Sequence, residues 1–294
     1  MNKKEIGEIL HRFFLKRSAS FLANIYKASV TADPRDIHRA RLDVKKILAL
    51  FSLFDMLDPK AFRELQGTSL FRPLYRQAGK IREAHVNLLQ LSAAPEGEHA
   101  LPLFREWLVA GEKRASAGFV SLVKKFRERD LEKESRQIGR ICRSHSIFTF
   151  RKKTREYLSE KAEAVRELLD HEPGVKELHR VRQHLKSMST VAELVYSLKP
   201  LRELDRVITA LNRTEMLIGD WHDRVVLLEA VGKFLKAEPA VGTEEDQALQ
   251  RLAARLQNEC RNLEEHFVPE VRKIVELATG WDAAAADWNS VNFA

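Results

Sequence analysis

Two groups of basic side chains repeat one spacing along this chain. The segment IHRARLDVK sets His38, Arg41 and Lys45 at His-x-x-Arg-x-x-x-Lys. LHRVRQHLK, 141 residues further on, sets His179, Arg182 and Lys186 in the same register. On a helix, positions i, i+3 and i+7 fall within about 60° of arc, so each trio shares a face. The apolar residues Ala40, Val44, Ile47, Leu48 and Phe51 point largely the opposite way, as a core-facing stripe requires. Three stacked cationic or proton-donating groups, with no acid between them on that face, repel one another unless an anion lies there. Phosphate suits the set. Arg offers a planar fork for two oxygens, Lys a compact point charge, and His a donor that gains a proton beside an anion. Lys46 lies beside the first trio. Arg72, Arg76 and Lys80 form an i, i+4, i+8 stripe, and Arg202, Arg206 and Arg213 take similar places in the second half, extending the candidate binding track.

The elements that must carry these residues read as helices throughout, with no strand alternation. Apolar spacing near 3.6 residues predicts helices over 3–30, 34–57, 59–66, 69–92, 99–128, 131–145 and 148–170. It predicts others over 174–198, 200–235, 243–266 and 267–279. Asp33-Pro34 and Glu172-Pro173-Gly174 punctuate before both His-bearing helices, with Pro where a first turn tolerates it.

The trios belong to a longer repeat. Gly79 follows His38, and Gly219 follows His179, at nearly the same distance; each is followed four positions later by a carboxylate, Glu83 or Asp223. Amphipathic helices flank each half in the same order, so the chain reads as a tandem duplication of a four-helix unit. The expected fold is all-α, two tandem pseudo-symmetric four-helix bundles. The first repeat covers residues 1–130, a connecting helix 131–147, the second repeat 148–279 and a tail 280–294. Gly79 and Gly219 are expected where helices cross closely. Glu83 and Asp223 are expected to orient arginines or cap backbone groups.

This arrangement resembles the CHAD domain, an α-helical family named for its characteristic histidines. His38-Arg41-Lys45-Lys46 and His179-Arg182-Lys186 carry its first element in each half. Gly79-Glu83 and Leu217-Gly219-Asp223 carry the second, and the likeness spans roughly residues 5–275. Ser187 and Ser189 stand where members often have Arg, Leu48 replaces a frequent Arg, and Glu83 replaces Asp; the basic track is sparser than usual. The resemblance implies an all-α domain that binds inorganic polyphosphate along a groove or pore lined by both halves; with the duplicated trio, the expectation is binding without catalysis. On that reading no cofactor, metal or catalytic residue is needed.

Composition agrees with a polyanionic partner. The 294 residues carry 50 Lys+Arg against 42 Asp+Glu, a formal net charge of +8, which suits nucleic acid, an anionic surface or a phosphate polymer. Two cysteines, Cys142 and Cys260, point to a reducing compartment, and a cytoplasmic protein, with association to polyphosphate granules, is the expectation. No run of about 20 apolar residues predicts a membrane span. Nucleic-acid binding or a helical protein-interaction scaffold is the alternative, but stacking aromatics interleaved with Lys and Arg are absent. A metal phosphohydrolase is weaker still. DWHD at Asp220–Asp223 has KIRE as its counterpart in the first half, and only Glu8-His11 offers a Glu-x-x-His pair on a helix. His85, His145 and His184 are read as surface or satisfied core residues.

Overall fold

The computed structural model describes residues 3–31, 33–63, 67–94, 101–145, 147–198, 202–237 and 243–279. The described residues form helices throughout: α1 (Lys3–Thr31), α2 (Pro34–Leu57), α3 (Pro59–Arg63), α4 (Gly67–Ser92) and α5 (Pro102–Lys125). They continue as α6 (Glu128–Ser144), α7 (Ile147–Leu169), α8 (Val175–Leu198), α9 (Arg202–Ala237) and α10 (Thr243–Thr279). The fold is all-α, as the periodicity predicts. The tail 280–294, with its two tryptophans, lies outside the described residues.

The helix starts follow local chemistry. Asp33 caps α2 by accepting a hydrogen bond from the Arg35 N–H at 2.8 Å, and Pro34 occupies the first turn, where its missing N–H costs nothing. The predicted break between 266 and 267 does not occur: α10 runs unbroken through Pro269. Proline inside a helix costs about 3 kcal/mol. Here Phe267, Val271 and Ile274 keep one buried stripe running across it, and packing of that stripe outweighs the loss.

Neighbour contacts close one ring through α1, α2, α4 and α5, and another through α7, α8, α9 and α10. Helix α6 packs on α1 and α4, burying Ile138, Ile141 and Cys142. The rings join where α2 meets α7 and α8 and where α4 meets α9. One large apolar cluster spans both halves, from Phe14, Phe21 and Phe51 to Leu185, Trp221 and Phe267. A smaller one, around Phe104, Leu227 and Phe234, ties α5 to α9 and α10. Both cysteines are buried and unpaired. Burial pushes the Cys142 thiol up to about 12 and the Cys260 thiol up to about 11, so neither is a reactive thiolate. No described helix is long and apolar enough to cross a membrane.

Candidate functional site

Burial of Ile37, Ala40, Val44 and Ile47 on α2 fixes that helix's rotation, and Leu178, Val181, Leu185 and Met188 do the same for α8. The alternate faces, with His38, Arg41 and Lys45 on one helix and His179, Arg182 and Lys186 on the other, are left for the region between the halves. Helices α2 and α8 are in direct contact. An ion pair from Lys46 Nζ to Glu193 Oε2 at 2.7 Å also links them.

The two lysines meet there. Burial, followed by repulsion from Lys186, Arg182 and Arg41, pulls the Lys45 pKa down to about 6. At neutral pH Lys45 is therefore largely a free amine beside Lys186. Burial, then Arg182, lowers Lys186 as well, while Glu215 opposes the shift. Arg182 is partly buried, and its Nε has no hydrogen-bond partner. A buried donor left unpaired raises the energy of the empty site.

Arg41 is held differently. Its Nη1 donates to the Tyr75 carbonyl at 2.9 Å, and its guanidinium lies 4.5 Å from the Tyr75 ring centroid. His38 is exposed, yet surrounding protein, then Arg82, Lys45, Arg41 and Lys186, lowers its pKa. His179 packs 5.1 Å from Trp221 and 4.9 Å from His222, centroid to centroid. Burial lowers both imidazoles, that of His222 to about 3, helped by Arg182 and His179. The Nδ1 of His222 is buried without a partner. These are neutral rings that offer hydrogen bonds instead of charge.

The face is not free of acids once the neighbouring helices are counted. Burial raises the carboxyl pKa of Glu215, which lies near Lys186, Ser189 and Lys45. Asp223, also raised by burial, faces Arg82 and Arg182, and Glu83 faces Arg41. The carboxylates of the two Gly-x-x-x-acid elements thus stand beside arginines, as expected. The glycines differ: Gly79 is packed under Arg41, whereas nothing lies within 4 Å of a β-carbon built at Gly219. Only the first meets the expectation of close packing.

Of the extended track, little joins this cluster. Lys46 is engaged by Glu193. Arg72 lines a separate cleft with Phe51, Tyr157, Glu160 and Lys161. Lys80 lines another with Trp107 and Lys233. Arg76 and Arg206 are exposed on α4 and α9. Arg213 is exposed and near enough to Glu270 on α10 to favour its ionised form, after Lys273. The Arg202 side chain lies outside the described residues.

Four residues of the cluster escape a reading limited to the trios: Tyr75, Arg82, Glu215 and His222. They form two pairs, Tyr75 with Glu215 and Arg82 with His222, at the offset that relates Gly79 to Gly219. Carrying the repeat register a few positions either side of each glycine finds all four. Among the described residues, no group of three His, Cys, Asp or Glu side chains is arranged to hold a metal ion.

A model of the CHAD domain matches residues 14–232, about three quarters of the chain. The chain belongs to the CHAD domain family. The crystal structure of the CHAD domain from the plant Ricinus communis superposes with a TM-score of 0.71 at 16% sequence identity, over 92% of this chain and 91% of that one. At that identity the likeness is one of fold. No curated protein matches the chain. In this CHAD domain the matched segment ends within α9, so it contains every residue of the Lys45–Lys186 cluster.

Proposed function

We propose that this CHAD domain binds inorganic polyphosphate, without catalysis, along the seam between α2 and α8. The observation that carries the reading is the meeting of Lys45 and Lys186, with Arg41 and Arg182 close enough to depress the Lys45 charge. Left empty, such a cluster is held partly uncharged against desolvation and repulsion; a polyanion supplies the missing counter-charge and lets Lys45 take up its proton. A polymer of phosphates matches a row of cations better than a single phosphate does. Neutral His38, His179 and His222 add hydrogen-bond donors along the row. Glu215, Asp223 and Glu83 hold the basic side chains in place when no ligand is bound. Two buried, unpaired cysteines support a reducing cytoplasmic setting, with polyphosphate granules as the natural site of action.

The test is retention of long-chain polyphosphate by wild type and by the Lys45→Ala/Lys186→Ala double variant over a range of salt. Wild-type affinity is expected to fall linearly in log salt, as counterion release requires. The double variant is expected to bind at least tenfold more weakly and with a shallower slope. Equal retention by both proteins defeats the reading, as does displacement of polyphosphate by equimolar DNA.

A further inference from the structure

A second site lies between α4, α5 and α9, sharing only Glu83 with the cluster described above. It is a cleft of about 370 Å³, inside the usual range of small-ligand pockets. Its lining divides by chemistry. Leu108, Val226 and Ala230 give it an apolar wall, and Trp107 adds an aromatic one. Trp107 is fixed by Phe104 and Phe234, with ring centroids 6.1 and 5.9 Å away, so the surface it offers is preformed. Lys80, Arg114 and Lys233 supply three cations against the single carboxylate of Glu83. Lys233 forms an exposed pair with Glu229 at 3.9 Å, which is weak and readily exchanged.

The independent sign of a ligand is Asn87. It lines the cleft, it is only 4% exposed, and its Oδ1 has no hydrogen-bond partner. A buried carboxamide oxygen without a donor is costly, and a turn of the Asn87 side chain toward the cleft would let a ligand N–H satisfy it. The occupant must therefore combine a flat apolar body, a hydrogen-bond donor on that body and an anionic group. We propose that this cleft binds a small phosphate monoester with a ring-bearing, hydrogen-bond-donating body, nucleoside monophosphates being the class that unites these features. Such an anion meets Lys80, Arg114 and Lys233, its ring lies against Trp107 and Leu108, and a ring amine donates to Asn87.

Calorimetric titration of the full chain with adenosine 5′-monophosphate tests this, with adenosine, inorganic phosphate and the 6-unsubstituted purine riboside monophosphate as comparators. One saturable site is expected, at least tenfold tighter for adenosine monophosphate than for any comparator. Arg114→Ala and Lys233→Ala, both at exposed positions, are each expected to weaken it about tenfold. Neither residue belongs to the Lys45–Lys186 cluster, so both variants keep polyphosphate retention if that reading holds. Absence of binding at millimolar nucleotide overturns the proposal. So does equal affinity for inorganic phosphate, or loss of nucleotide binding in Lys186→Ala while Arg114→Ala and Lys233→Ala retain it.

Discussion

The Arg41 guanidinium occupies the space that a side chain at residue 79 would fill: its Nη1 lies 2.6 Å from the position of a β-carbon built on Gly79. That nitrogen also donates to the Tyr75 carbonyl, one turn before Gly79 on the same helix. Glycine therefore opens a slot on α4 into which a cation from α2 is laid. The matching position in the second half, Gly219, has no such neighbour, and its Arg182 keeps an unpartnered Nε. The first arginine is clamped by a backbone carbonyl; the second faces Asp223 with its Nε unpaired.

Gly79→Ala and Gly219→Ala should consequently part company. Alanine in a helix interior gains up to about 1 kcal/mol over glycine. At 219 the gain is expected in full, with polyphosphate retention unchanged. At 79 the methyl group displaces Arg41 from Tyr75, and loss of that bond, about 1–3 kcal/mol for a charged donor, cancels or exceeds the gain. Retention should fall about tenfold with it. Urea denaturation and a retention assay on the same two variants check both expectations.

Lys46 and Glu193 join the halves across the α2–α8 contact, and their side chains are 25% and 36% exposed. A partly exposed pair of this kind contributes at most about 1 kcal/mol. Lys46→Ala is expected to lower stability by no more than that. It should weaken polyphosphate retention less than Lys186→Ala does, because Lys46 already has a counter-ion. A double-mutant cycle with Glu193→Ala isolates the pair; a coupling near zero would show that packing alone holds the seam.

Helix type and order were legible because the apolar period is strong, and the paired trios were legible because their spacing repeats. The unbroken course of α10 past Pro269 was not, since a local rule for proline says nothing of the stripe Phe267, Val271 and Ile274 that overrides it. Nor could one helix's sequence show that Glu193 from α8 takes up Lys46, or that α9 brings Glu215 and Asp223 to the basic face. Those are facts of tertiary packing. Tyr75, Arg82, Glu215 and His222 lie between the two cases, present in the repeat register yet lacking the charge pattern that drew attention to the trios.

Lys45 makes the empty domain less stable than it need be. Its pKa falls on folding from an ordinary 10.5 to about 6, so between those values the unfolded chain binds more protons than the folded one. Stability then rises with pH across that window, and the penalty is complete below about pH 6. Lys45→Met, which keeps the stem and removes the amine, is expected to stabilise the unliganded domain by roughly 1–4 kcal/mol at neutral pH. It should also flatten the pH dependence between 6 and 10.5. Chemical denaturation at several pH values reads both effects; an unchanged pH profile would mean that Lys45 is not the group responsible.

Binding a polyanion should reverse that same shift. An anion beside Lys45 favours the ammonium and raises its pKa, so between about pH 6 and that raised value the complex holds a proton that the free domain lacks. Proton uptake on binding means that affinity weakens as pH rises, by up to about tenfold per unit for one proton. Lowered His38 and His222 act in the same sense at lower pH, His222 from its free value of about 3 upward. Titration of polyphosphate in two buffers of different ionisation enthalpy, at a pH between 7 and 8, counts the protons directly. Uptake approaching one proton is expected for wild type and less for Lys45→Met. A wild-type count of zero, or the same count in both proteins, would remove Lys45 from the binding site and with it the cluster's claim to be where the polymer lies.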